Sequence, residues 1–203
     1  VANRRIAKDG FLALLVLATL VTGCGHDSGR PPNTTTAPTG GGSVADSPAQ
    51  LPKRWTLHAN GPSGFTVGVP PDWAVAEHGE ASLLFSPGRL VVVSITADRT
   101  DEALRAPLSD LTNETARHLS GFNEVVPTAV AGFAGRYPGA ELTATATRTS
   151  GERQRLTLIV MRGGGAVFSL LAAATDRLKP AVGRTIGGKI ARTLRYRPVE
   201  VTS

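Results

Sequence analysis

The chain has 203 residues and a formal charge of +6, from 22 Lys and Arg against 16 Asp and Glu. Its single cysteine excludes an intramolecular disulfide, so the fold must rest on an apolar core and backbone hydrogen bonds. Part of the basic balance is local: discarding Arg4, Arg5, Lys8 and Asp9 would leave +4.

Those first charges open the earliest element. Arg4, Arg5 and Lys8 precede an apolar run from Phe11 to Val21, which ends in Thr22-Gly23-Cys24. A basic start, a short apolar core and small residues at a cut site predict a secretory signal over residues 1–23. The run is about half the ~20 apolar residues that a bilayer crossing needs. Val21-Thr22-Gly23-Cys24 resembles the lipobox of bacterial lipoproteins. The resemblance implies that Cys24 carries fatty acyl chains of the palmitate type and becomes the first residue of the mature chain. The protein is then expected at the extracytoplasmic face of the cell membrane. Two or three acyl chains make such anchoring stable, where one would be marginal.

Residues 24–53 read as the lipidated Cys24 and a flexible tether. Pro31-Pro32, Thr34-Thr35-Thr36, Gly40-Gly41-Gly42-Ser43 and Ser47-Pro48 leave almost no apolar side chain to offset the entropy of ordering. A flexible chain of this length spans roughly 30 Å and stretches to about 100 Å. Its Thr and Pro content suits O-glycosylation.

Residues 54–197 are expected to form one globular α+β domain, followed by a short tail at 198–203. Phe65, Val67 and Val69 alternate with Thr66 and Gly68, which predicts a half-buried strand stopped by Pro70-Pro71. Ser82–Phe85 and Leu90–Ile95 flank Ser86-Pro87-Gly88-Arg89, a hairpin in which Gly88 supplies a positive φ. Leu104, Leu108, Leu111, Thr115 and Leu119 predict a helix over about 100–119, with Pro107 in the first turn of its main part. Val125–Val130 is a candidate strand. Ala140, Leu142, Ala144 and Ala146 alternate with Glu141, Thr143, Thr145 and Thr147, so one face should be wet and one packed. Turns at Thr149–Glu152 and Arg162–Gly165 join this strand to Arg155–Met161 and Ala166–Ala174 in an antiparallel meander. Leu178, Val182, Ile186, Ile190 and Leu194 step by four along a last helix, in which Gly187-Gly188 predicts a weak point or kink.

Gly64-Phe65-Thr66-Val67-Gly68-Val69-Pro70-Pro71-Asp72-Trp73 resembles the opening strand of the PsbP-like fold. Within that fold the chain looks most like the LpqN/LpqT group of actinobacterial lipoproteins. The resemblance spans roughly residues 55–196 and implies an α/β/α sandwich around a central antiparallel sheet, binding or accessory roles, and no catalytic residues. Trp73 and Phe65 match motif positions and are expected in the core.

The motifs for chemistry are weak. Gly183-Arg184-Thr185-Ile186-Gly187-Gly188-Lys189 satisfies G-x-x-x-x-G-K, but Ile190 stands where a phosphate loop needs Ser or Thr, and the match lies in a helical stripe. His26 falls in the tether, and His58, His78 and His118 are far apart, so no metal site is expected. There is no G-x-S-x-G. No cofactor is implied. One charge pattern stands out. Seven basic residues and no acid occupy 177–197, and Arg184, Arg192 and Arg195 lie opposite the apolar stripe on a helical wheel. That row is either a solvated helix face or a surface for an anionic envelope polymer, a lipid headgroup or an acidic protein. It lacks the interleaved aromatics of a nucleic-acid platform.

The sequence therefore points to a lipid-anchored envelope binding or accessory protein without catalytic activity. The alternative is a carrier of an apolar ligand or lipid between sheet and helix, where the strands Ala140–Ala146 and Ala172–Ala174 are built of small residues. An envelope hydrolase comes third.

Overall fold

Two antiparallel sheets organise the chain. The structure, a computed structural model, describes residues 51–196. The expected signal, Cys24, the tether up to residue 50 and the tail beyond 196 lie outside the described residues. The larger sheet has seven strands in the order β3-β4-β5-β9-β8-β7-β6. These are β3 (Ala74–His78), β4 (Ala81–Phe85), β5 (Val91–Asp98), β6 (Phe122–Phe133), β7 (Gly139–Arg148), β8 (Arg153–Gly163) and β9 (Ala166–Thr175). The smaller sheet orders β1 (Thr56–Asn60), β2 (Phe65–Val69) and β10 (Arg195–Tyr196) as β1-β2-β10. A single 3-10 turn at Pro87–Arg89 and three α-helices complete the described residues: α1 (Asp101–Arg105), α2 (Leu108–Arg117) and α3 (Val182–Thr193).

The strand alternation sorts the core into two halves. On one face of the large sheet Leu142, Ala144, Leu156, Leu158 and Val160 pack with Leu111 and Ala116 of α2. On the other, Val93, Ile95, Ile159, Met161, Phe168 and Leu170 pack with Ile190 and Leu194 and with Phe65, Val67 and Val69 of β2. Helices α1 and α2 thus make one layer, the seven-stranded sheet the second, and α3 with the small sheet the third. The α/β/α sandwich expected from the sequence is present, with three strands sharing the layer of α3. Central strands β8 and β9 are covered on both faces, which is why they read as nearly continuous apolar runs.

Turn chemistry holds where it is expected. Gly88 has φ +66°, Gly151 +84°, and Gly164 and Gly165 +64° and +81°. Several other expectations are corrected. Phe65–Val69 is buried along its whole length rather than half, because α3 and Leu51 close over its second face. A Cβ on Gly68 would lie 2.8 Å from Leu51 Cδ2 and 2.9 Å from Thr193 Oγ1. Leu51 therefore packs on the fold, although it was assigned to the tether. The helix expected over 100–119 is two helices. Ala106 takes an extended ψ of 145°, as a residue before proline prefers, and Pro107 caps α2. The carbonyls that α1 leaves open at Ala103 and Ala106 accept from Arg162 of β8.

Helix α3 carries no kink. It runs unbroken through Gly187-Gly188, and two of its glycines serve packing. A Cβ on Gly183 would stand 2.9 Å from Ala174 Cβ, and one on Gly187 3.0 Å from Ala172 Cβ. The helix backbone lies directly on the alanines of β9. Strands β1, β3 and β10 have no counterpart in the sequence reading. Trp73 is only half-buried, packed against the core, whereas Phe65 is fully inside.

Candidate functional site

The basic row of α3 is partly occupied by the protein itself. Arg184 Nε donates to Glu141 Oε1 on β7, and that carboxylate is nearly buried. The Arg192 guanidinium lies over the Phe133 ring, 5.3 Å from its centroid. Arg195 follows the helix and donates through Nη1 to the Leu194 carbonyl at 2.8 Å and to Arg192 O at 3.3 Å. A helical wheel puts all three on one open face. The fold instead sets the β6–β7 edge beside that face and draws Arg184 and Arg192 onto it. The phosphate-loop match at 183–189 lies inside α3, where from Thr185 onward its backbone N–H groups are committed to the helix.

A second basic group gathers where the chain enters the domain. Pro52 O accepts from Trp55 N–H at 3.0 Å, closing a turn that exposes Lys53 and Arg54. Arg54 sits at φ +70° in that turn. Leu57 follows on β1 and is 52% exposed. It pairs with Gly68, so its side chain stands on the outer side of the small sheet, the side on which Leu51 packs. Thr193 Oγ1 accepts from Gly68 N–H at 2.7 Å and ties α3 to this place. Lys189, exposed, lies four residues before Thr193 on the same side of the helix. The sequence reading passed over this group. The signal was Lys53-Arg54 standing directly between the Pro/Thr/Gly tract and the first strand.

The fold also assembles a polar node that the sequence kept apart. His58 Nε2 lies 3.3 Å from Ser82 Oγ and 3.3 Å from Glu77 Oε1. Asn60 Nδ2 donates to Ser82 Oγ at 2.9 Å, and Asn60 Oδ1 accepts from Ser63 N–H at 2.8 Å. Ser, His and an acid meet here, but not as a catalytic triad. The hydroxyl and the carboxylate address the same ring nitrogen, whereas a triad needs the acid on one nitrogen and the nucleophile on the other. Ser82 is also wholly buried. The node fastens β1 to the β3–β4 hairpin. His78 ends β3 one residue after Glu77, and its side chain therefore takes the opposite face of that strand, while His118 caps α2. Among the described residues no three His, Cys, Asp or Glu side chains group as metal ligands.

One open groove of about 420 Å³ runs between α2 and the start of β6. Asn113 and Arg117 line one wall, and Phe122, Glu124 and Val125 the other. Between α3 and the sheet, Ala172 and Ala174 lie directly under Gly187 and Gly183 of the helix, while Ala144, Ala146 and Ala173 belong to the core half under α2. Among the described residues no helix is long and apolar enough to cross a membrane.

Comparison with known proteins places the fold. No family model matches the chain, and no curated protein matches it. Several solved structures are similar. Cyanobacterial PsbP of Synechocystis superposes with a TM-score of 0.52 at 8% identity, over 76% of this chain and 98% of that one. A protein of Bacteroides thetaiotaomicron gives 0.50 at 14% identity over 70% of this chain, which spans only 48% of that protein. LpqN of Mycobacterium tuberculosis, described as involved in cell envelope biogenesis, gives 0.44 at 18% identity, over 71% of this chain and 91% of that one. At such identities the likeness is one of architecture, and the architecture is the α+β PsbP-like fold.

Proposed function

We propose that this chain is a lipid-anchored binding or accessory protein of the bacterial cell envelope, related to the LpqN/LpqT lipoproteins and without catalytic activity. One observation carries the reading. The only cysteine stands at the end of Val21-Thr22-Gly23-Cys24, after a basic start and a short apolar run, and a tether then leads into a PsbP-like domain. Acylated Cys24 holds the chain on the extracytoplasmic face. The tether lets the domain search a shell of roughly 30 Å beside the membrane. The domain supplies the binding surface, whose basic residues suit an anionic polymer, headgroup or acidic protein. The polar node at Ser82 is read as a buried fastening between β1 and the β3–β4 hairpin. The test is Cys24→Ser in a bacterial host that processes lipoproteins, followed by detergent phase partitioning and mass analysis of the N-terminal peptide. The wild type should carry acyl chains and enter the detergent phase, and the variant should do neither. A wild-type N-terminal peptide without acyl chains would overturn the reading.

A further inference from the structure

The basic group at the domain entrance lies on the side from which the tether comes, and we propose that it is the face the domain lays on the bilayer. The proposal rests on the lipid-anchor reading. Lys53, Arg54 and Lys189 are exposed and make no ion pair among the described residues, whereas Arg184 and Arg192 of the α3 row are drawn onto Glu141 and Phe133. Leu57 stands 52% exposed on the same outer side of the small sheet and offers an apolar point to the headgroup boundary. The occupant follows from where the chain leads. Residue 50 continues toward Cys24, so a membrane holding Cys24 meets this side of the domain within the reach of a tether of roughly 30 Å. Tethering of this kind sets an effective concentration in the millimolar range, so a contact too weak to recruit a free domain still orients an anchored one. The chemistry is that of anionic phospholipid headgroups. Each Lys or Arg near such a surface contributes about fivefold in partitioning, so three give on the order of a hundredfold.

The test uses the mature chain from residue 24 with Cys24→Ser, so that neither the signal nor an acyl chain contributes. Cosedimentation is measured with vesicles of phosphatidylglycerol and phosphatidylcholine and with vesicles of phosphatidylcholine alone. Binding to the anionic vesicles only, weakened by added salt, is expected. Lys53→Gln/Arg54→Gln/Lys189→Gln should lose on the order of a hundredfold. Arg184→Gln/Arg192→Gln should lose less than tenfold, and circular dichroism checks that each variant folds. Leu57→Ser should weaken binding without changing its salt dependence. Equal binding to both vesicle types, no binding, or a larger loss from the α3 pair than from the entrance triple would each overturn the proposal. Acylation of Cys24 is read separately by mass, so an unacylated wild type removes the anchor reading while the vesicle result still decides the face.

Discussion

Two glycines five residues apart in α3 should respond to the same substitution with opposite signs. Gly183 lies against β9, and a Cβ there would stand 2.9 Å from Ala174 Cβ. That neighbour is a strand atom with no rotamer to change, so the helix itself must lift. Lifting loosens Ile190, Ala191 and Leu194, all buried on the same helix or at its end. Overpacking of this kind costs about 1–3 kcal/mol. The gain in helix propensity is small in the first turn, which leaves Gly183→Ala destabilised by about 1–2 kcal/mol. Gly188 differs. A Cβ there would meet only Arg192 Nη1 at 3.3 Å, the far end of a flexible side chain, and Phe133 Cε2 at 4.0 Å. Gly188→Ala should therefore collect most of the propensity gain, about 0.5–1 kcal/mol. Denaturant unfolding of the unlipidated chain measures both, with unchanged m-values as the check that the same transition is compared. In a thermal scan the two variants should move to opposite sides of the wild type, by about 2–4 °C per kcal/mol for a domain of this size. A Gly183→Ala protein as stable as wild type would refute the argument that α3 needs glycine to reach the sheet.

Other substitutions test separate parts of the fold. Trp73→Ala should cost about 2 kcal/mol in denaturant unfolding, less than a wholly buried aromatic, because the ring is only half-buried; a loss above 4 kcal/mol would mean that it seals the core. Thr193→Val should cost about 1–2 kcal/mol, since it leaves the buried Gly68 N–H without its acceptor. Ser82→Ala should lower stability by about 1–2 kcal/mol through the lost acceptor for Asn60 Nδ2, and amide exchange should show β1 opening more often. An unchanged exchange rate in β1 would remove the node as the fastening between the two sheets.

The meander was legible because its signals are local. Alternation in β7, positive-φ glycines at the turns and apolar runs in β8 and β9 all act within ten residues of each other. Strands β1 and β3 were not, for a physical reason. Thr56–Asn60 and Ala74–His78 are edge strands with mostly exposed side chains, so burial imposes no apolar pattern on them. Their existence is decided by pairing with β2 and β4. The glycines of α3 show the opposite failure. Helix propensity reads Gly187-Gly188 as a weak point, while tertiary contact uses Gly183 and Gly187 to bring the helix down on Ala174 and Ala172. The β6–β7 register also explains why only part of the Thr face of β7 stays wet. Glu141 lies where α3 crosses the sheet and is nearly buried against Arg184, while Thr143, Thr145 and Thr147 lie farther along the strand.

The basic surface was half legible, and the missing half is instructive about charge. A helical wheel knows the helix alone, so it separates Arg184, Arg192 and Arg195 from the apolar stripe but is blind to Glu141 and Phe133 on the neighbouring strands. An arginine so engaged must first give up its partner before it meets another anion, and that loss subtracts from any binding it contributes. Lys53, Arg54 and Lys189 come from two places more than 130 residues apart, and the Thr193–Gly68 hydrogen bond ties the helix of one to the strand beside the other. No window along the sequence contains that group. The count of basic residues between 177 and 197 pointed to a surface, but which cations are available to a partner is a property of the fold. On that ground the entrance, where Lys53, Arg54 and Lys189 form no ion pair among the described residues, is proposed as a better contact face than the longer row on α3.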